Sequence, residues 1–291
     1  MVTPMPPIPV SVRPSDEELD LFGITHQGKV RSENQDHFLI ATVHPQVVIH
    51  STSLPSTDGL PLRGTRLATV MVVADGVGGA DAGSEAAQLA TEAVTGYVSS
   101  TLRCYHAAGS ANDEEFLASL KAAACEAHDA VRAEAGLHKS GRQMATTLTV
   151  CIAVWPWAYV VQVGDSRGYF FSEGKLRQLT RDQTIGQAMV DQGALSADRL
   201  ENSPLKHVLS SAIGSDEALP EVTRFNIGER GSLIFLCSDG LTKHVSDDEI
   251  ASAISTMTSS EQVATDLLEL ALARGGTDNI TIIAARALLS T

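Results

Sequence analysis

The run VMVVADGVGG, residues 70–79, decides how this chain is read. Val70, Met71, Val72, Val73 and Ala74 form an unbroken apolar stretch, the pattern of a strand covered on both faces. It ends on the carboxylate of Asp75, and Gly76, Gly78 and Gly79 follow. Asp-Gly is also the commonest two-residue hairpin loop, and Asp58-Gly59, set in polar Pro/Ser/Thr sequence, reads as that turn. Asp75 differs because the chain beyond it turns helical instead of returning as a strand. A strand that delivers an acid into a glycine turn carries charge to where water is scarce. The glycines let backbone close on whatever that charge holds.

Four more acids keep Asp75 company. Asp165 ends AYVVQVG and Asp239 ends SLIFLCS, while Asp36 opens HFLIAT and Asp278, paired with Asn279, opens ITIIAA. In an antiparallel sheet the ends of some strands lie beside the beginnings of their neighbours, so all five carboxylates are expected on one rim. Like charges crowded there raise one another's pKa. A hard divalent cation resolves the conflict, and oxygen-only donors favour magnesium, manganese or calcium over zinc. Carboxylate-held divalent ions at a sheet rim suit phosphate chemistry, which also wants an arginine fork. Arg31 lies five residues before Asp36 on the loop HQGKVRSENQD.

Composition narrows the partners. With 291 residues, 43% hydrophobic and 19% charged, the chain has enough apolar material for a sizeable core and is not a disordered segment. Its formal net charge, 21 − 35 = −14, argues against nucleic acid, whose phosphates are bound mainly by Lys and Arg. Cys104, Cys125, Cys151 and Cys237 lack CxxC spacing, so neither a disulfide framework nor a zinc site is expected, and a reducing cytoplasm is the expected setting. Five prolines in the first fourteen residues break any signal-peptide apolar region. No stretch approaches the roughly 20 apolar residues that span a bilayer.

Along the chain, residues 1–18 read as a proline-rich arm and 19–289 as one domain. Strands are expected at 21–25 and 37–42. Residues 43–66 form a polar insertion in which Val47, Val48 and Ile49 have the character of a short strand. Ala86, Leu89, Ala90, Ala93, Val94 and Tyr97 mark one helix. Asn112 with Glu115 caps a second, striped by Phe116, Leu120, Ala124, Ala127 and Val131. TTLTVCIAV, AYVVQVG, GYFF and KLRQLT read as strands with Glu173-Gly174 as a hairpin turn. Residues 182–204 form a surface excursion with helical character. VLSSAI, EVTRFNI and SLIFLCS read as further strands, Ser246 and Ser259 cap two more helices, and 281–285 is the last strand. The succession fits an α+β fold with helices packed on stacked antiparallel sheets.

Five motifs now stand in order: RSENQD (31–36), ADGVGG (74–79), VGDSRG (163–168), CSDGL (237–241) and GGTDN (275–279). Together they resemble the metal-dependent protein phosphatases of type 2C, in their bacterial serine/threonine branch. The resemblance implies a β-sandwich of two antiparallel sheets flanked by pairs of antiparallel helices. It implies that Asp75 bridges two Mn²⁺ or Mg²⁺ ions, that Asp239 and Asp278 complete one shell with Asp36 nearby, and that the Gly76 carbonyl serves the other. Asp165 would hold a weaker third ion, and Arg31 would clamp the phosphate. Water activated between the ions would attack phosphoserine or phosphothreonine in phosphoprotein substrates, with neither nucleic acid nor membrane as partner.

Three positions depart from the pattern. Val77 stands where some members place a histidine acid, Gln35 where others carry Glu, and Lys243 where an acid helps hold the third ion. Lys243 is therefore expected to weaken that third site. Two other functions use the same residues: a pseudophosphatase serving as a binding module, which would shed metal ligands, and a small-molecule phosphoesterase. Substrate preference would rest on residues 43–66 and 182–204.

Overall fold

The computed structural model describes residues 12–79, 81–108, 113–137, 143–200 and 203–289. The chain opens with β1 (Leu19–His26), β2 (His37–Val43), β3 (Ala68–Ala74) and the two-residue β4 (Gly76–Val77), then enters α1 (Ala82–Ala108) and α2 (Asp113–Leu137). It continues through β5 (Ala145–Thr146), β6 (Leu148–Val154), β7 (Trp157–Val163), β8 (Arg167–Ser172) and β9 (Lys175–Gln178). Short helices α3 (Ile185–Asp191) and α4 (Ala197–Leu200) and a 3₁₀ turn (Pro204–His207) lead to β10 (Glu221–Asn226) and β11 (Leu233–Cys237). The chain closes with α5 (Asp239–Thr242), α6 (Asp247–Ser255), α7 (Ser260–Ala273) and β12 (Ile280–Ala287).

Two five-stranded antiparallel sheets result, one ordered β1-β12-β11-β8-β9 and the other β10-β7-β6-β3-β2. The period of two along each strand explains why the apolar runs are unbroken. On β3, Val70 and Val72 face α1 and α2, while Met71 and Val73 point between the sheets. On β11, Phe235 and Cys237 pack under α6 and α7, while Ile234 and Leu236 point inward. Each central strand is thus roofed by helices on one side and by the other sheet on the other, so neither of its faces needs polar residues. The Phe116 ring of α2 meets Tyr159 of β7 edge-on at 4.9 Å, a favoured aromatic geometry.

The Glu173-Gly174 turn and the described caps agree with the sequence reading, whereas Asp58-Gly59 makes a turn, the Leu60 N–H donating to the Thr57 carbonyl at 3.0 Å, with no strand ladder on either side. Glu173 (φ 50°) and Gly174 (φ 72°) make the left-handed pair of a hairpin turn. Ser246 and Glu249 form a reciprocal capping box, and Ser259 accepts from the backbone N–H of Gln262. The cap expected at Asn112 lies outside the described residues.

Two strand assignments are corrected. Residues 47–49 form no strand: Gln46 bridges Arg63 and the Val47 N–H donates to the Leu62 carbonyl at 2.9 Å, but Val47 and Val48 lie exposed. No sheet faces them, so their apolar character finds nothing to pack on. VLSSAI likewise forms no ladder, because Leu209 bridges Thr184 and Ile213 bridges Thr146, two unrelated partners.

At the sandwich end where β3 begins, the segment before β1 is tied down by two arginines. Arg66, buried, donates to the carboxylate of Asp16 and to the Pro14 carbonyl (2.8 Å). Arg230 donates to Glu18 at 2.6 Å and to the Val12 carbonyl at 3.2 Å. Among the described residues, no helix is long and apolar enough to cross a membrane.

Candidate active site

Strand register assembles the acids from both sheets. His37 pairs with Ala74, so Asp36, one residue before β2, lies beside Asp75, one residue after β3. Cys237 pairs with Ile282, which brings Asp239 and Asp278 together at the same end of the other sheet. Asp165 sits on the crossover between β7 of one sheet and β8 of the other. The rim expected of one sheet is therefore shared by two.

Asp36 is buried, and its Oδ2 accepts hydrogen bonds from Ser238 Oγ and Thr281 Oγ1, each at 2.8 Å. The bonds continue outward: Thr281 meets the Thr25 hydroxyl at 2.8 Å, and Asn34 donates to that hydroxyl at 2.9 Å. Burial, and then the charges of Asp239 and Asp278, push the Asp36 carboxyl up to about 6, although the two hydroxyl donors oppose the shift. Asp75 is pinned through its backbone. Its N–H donates to Thr147 Oγ1 at 3.0 Å, and its carbonyl accepts from the Thr146 hydroxyl and the Thr147 N–H, each at 2.9 Å. Burial raises its carboxyl well above the usual range, with Asp36 and Asp239 adding to the effect. Asp165 is raised by burial first and by Asp239 next. Its neighbour Arg167 is engaged elsewhere, forking onto Asp182 at 2.6 and 2.8 Å. A cavity of about 20 Å³ lined by Asp165, Asp239, Lys206 and His207 leaves room for roughly one water or ion there.

Two cations meet the opposite side. Arg31 Nε and Nη2 fork onto the two oxygens of Asp278 at 2.6 and 2.9 Å. Lys243 Nζ stands 2.6 Å from Asp239 Oδ2 and 2.6 Å from Asp278 Oδ2. Burial works to raise the Asp278 carboxyl, but the bonds from Arg31 and Lys243 outweigh it and hold it below the usual range. Lys243 is thus not confined to the edge near Asp165, as the sequence reading has it. Its ammonium lies between the two carboxylates read as completing the shell of one of the two main ions.

Glycines give the rim its tightness. A Cβ at Gly76 would fall 2.3 Å from the Gly83 carbonyl oxygen, and one at Gly240 only 1.9 Å from that of Asn279. Gly28 (φ +81°) passes so close to the Asp278 carbonyl oxygen that a Cβ would sit 2.1 Å from it. The sequence reading misses Ser238, Thr281 and Thr147 as the groups that orient Asp36 and Asp75. Thr281 does leave a signal, as the one hydroxyl inside the apolar ITIIAA.

What this site would hold follows from its donors. All are oxygens, and two buried carboxylate oxygens, Asp36 Oδ1 and Asp239 Oδ1, have no hydrogen-bond partner. Unpartnered buried carboxylate oxygens are costly unless a cation meets them, so the residues fit a hard divalent ion. Among the described residues, no group of three or more Asp, Glu, His or Cys side chains stands ready to hold a metal ion. Two of the five carboxylates are instead held by Lys243 and Arg31.

A helix-flanked double sheet with an all-oxygen acidic rim suits a hydrolase that works with a hard divalent ion. The family profile described as Protein phosphatase 2C matches residues 50–273, and the chain belongs to that family. It is 33% identical over 218 residues to the serine/threonine protein phosphatase PstP of Mycobacterium tuberculosis, covering 75% of this chain and 40% of that one. It is 30% identical over 215 residues to the serine/threonine phosphatase stp of Listeria welshimeri, covering 74% and 82%. The solved catalytic domain of PstP, in complex with two manganese ions, superposes with a TM-score of 0.70 at 28% identity, covering 93% of this chain and 99% of that one. This chain therefore spans less than half the length of the mycobacterial relative and most of the listerial one.

Proposed function

We propose that the chain hydrolyses phosphoserine and phosphothreonine in protein substrates, using Mn²⁺ or Mg²⁺. The observation that carries this reading is the rim of aspartates gathered from two sheets, with one buried oxygen of Asp36 and one of Asp239 left without a donor. In this reading Asp75, Asp239 and Asp278, with Asp36 beside them and the Gly76 carbonyl, would hold two ions, and Asp165 would hold a weaker third. Residues 19–289 act as one catalytic unit in the cytoplasm, with 1–18 as an arm.

Bound divalent ions supply a nucleophilic water at neutral pH and offset the charge of the phosphate under attack. The chain's residues do the rest. The buried hydroxyls of Ser238 and Thr281 hold Asp36 in one orientation, and the Thr146–Thr147 backbone fixes Asp75. Water oxygen would bond to phosphorus as the bond to the seryl or threonyl oxygen breaks in line, and the proton that the water gives up would end on that departing oxygen. Val77, at the position of a histidine acid in some members, has no proton to give that oxygen. Neither Cys151 nor Cys237 competes as nucleophile, because burial pushes both thiols up, away from the reactive thiolate.

Arg31 serves as the phosphate clamp by transferring its fork from the Asp278 oxygens to two phosphate oxygens. Its side chain is 56% exposed, which leaves it free to turn toward substrate. Arg31→Ala is expected to raise KM for a phosphopeptide and to lower kcat/KM by up to about a hundredfold, the worth of one charge-assisted fork. Arg31→Lys recovers only part of the loss. Unchanged kinetics in the alanine variant place the clamp on another residue.

The function itself is tested by turnover of a phosphothreonine peptide. Activity is expected with added Mn²⁺ or Mg²⁺ and is expected to vanish in EDTA. Full activity in chelator sinks the two-ion reading. Faster turnover of nucleotides or sugar phosphates than of phosphopeptides makes the chain a small-molecule phosphoesterase, and no turnover of any phosphoester makes it a binding module.

A further inference from the structure

Lys243 has a position that loading with metal must disturb. It follows directly on α5, whose single turn returns the Lys243 N–H to the Asp239 carbonyl at 2.8 Å. One helical turn therefore lays the lysine stem back over the Asp239 side chain, as an i, i+4 pair does. From there the ammonium spans to a second carboxylate 35 residues further along the chain, and it touches both at 2.6 Å. The side chain is only 21% exposed, and Asp239 and Asp278 are 14% and 16% exposed. This is a partly buried ion triad rather than a surface pair.

The contact is selective within the rim. Lys243 takes the Oδ2 of Asp239 and the Oδ2 of Asp278, while the Oδ1 of Asp239 and the Oδ1 of Asp36 remain unpartnered. A divalent ion binds carboxylate oxygens at about 2.0–2.6 Å, and those oxygens cannot hold both an ion and an ammonium on the same lone pairs. Arg31 also holds Asp278, but from the exposed side.

We propose that Lys243 is a resident counter-ion of the metal centre. It holds Asp239 and Asp278 in place when no divalent ion is bound, and an ion enters that side of the rim only by displacing its ammonium. The inference rests on the metal-dependent reading above. It makes the two sides of the rim unequal. Among the described residues no ion pair holds Asp36 or Asp75, whereas loading at Asp239 and Asp278 is a competition. The apparent affinity there is reduced by the fraction of molecules whose lysine has withdrawn. Lys243 acts through the two aspartates and is a positioning residue.

The test compares the full chain with Lys243→Met, which keeps the stem and removes the charge, and with Lys243→Arg, which keeps the charge. Mn²⁺ titration calorimetry and thermal melting in EDTA are the readouts. Lys243→Met is expected to bind Mn²⁺ at the weaker site about tenfold more tightly or better. It should melt lower than wild type in EDTA and gain more from added Mn²⁺. Lys243→Arg should stay near wild type in both measurements. A methionine variant whose Mn²⁺ isotherm overlays wild type, whatever its melting temperature, reduces the lysine to a structural ion pair and overturns the inference. A wild-type chain that takes up no Mn²⁺ fails the metal reading itself, so the two failures are told apart.

Discussion

Asp75→Asn loses turnover of a phosphothreonine peptide by about a thousandfold or more, the scale on which losing a preorganised charge-stabilising group is felt, while the chain stays folded. The two expectations come from the same crowding. Asp75 carries the charge that two ions would share, and amide oxygen is a poor substitute for a bridging carboxylate. In the metal-free chain that same charge is unfavourable, because burial and the neighbouring Asp36 and Asp239 raise its pKa. A folded-state pKa above the unfolded one means that the native chain binds the proton more tightly. Ionising Asp75 therefore costs stability at pH values above its folded pKa and nothing below its unfolded one. In EDTA at pH 8 the asparagine variant should melt at or above wild type, and the difference should shrink toward pH 4. Near wild-type turnover at saturating Mn²⁺ removes Asp75 from the centre. A markedly lower melting temperature in EDTA would mean that its charge is already compensated.

Gly240→Ala is expected to destabilise the chain by roughly 2–3 kcal/mol, the upper part of the range for overpacking, and to lower kcat/KM by about a hundredfold. The added methyl would stand 1.9 Å from the carbonyl oxygen of Asn279. That obstacle is backbone and cannot rotate away like a side-chain tip. Either the turn carrying Asp239 or the segment carrying Asp278 must move, and both lead into the rim. Gly79→Ala is the control, since a Cβ there meets nothing within 4 Å. Denaturant midpoints and peptide kinetics measured on the same preparations decide the matter. An unchanged midpoint for Gly240→Ala would show that the two segments separate at no cost.

Much of this was open to reading before any coordinates. The acids at the ends and beginnings of apolar runs were legible because a strand's length and direction fix where its terminal side chains emerge. The helix stripes and caps were legible because they depend on spacings of three and four residues. What was not legible depends on partners distant in sequence. Ser238 and Thr281 meet Asp36 across separations of 202 and 245 residues, and nothing local to either announces it. The division of the rim between two sheets needed the strand order, which periodicity does not carry. Residues 47–49 and VLSSAI had the composition of strands but no neighbour to complete a ladder. The spacing of Lys243 from Asp239 was legible, yet the direction of a flexible four-carbon stem is set by the charges around it.

The place of β12 in its sheet bears on how such a molecule is made. It lies between β1 and β11, pairing Leu19 with Ala287 on one side and Leu233 with Arg286 on the other. During synthesis β1 emerges long before β12, its one sheet partner among the described residues, and must wait for it while about 250 residues follow, a long-range closure of the slow kind. Asp278 lies at the threshold of that same late strand. A ribosome-bound chain short of β12 thus holds Asp36, Asp75, Asp165 and Asp239 with an unfilled slot in the sheet that should align the last of them. Docking of β12 seats Asp278 in the same step that hides the facing edges of β1 and β11, and until then a nascent chain is prone to aggregate.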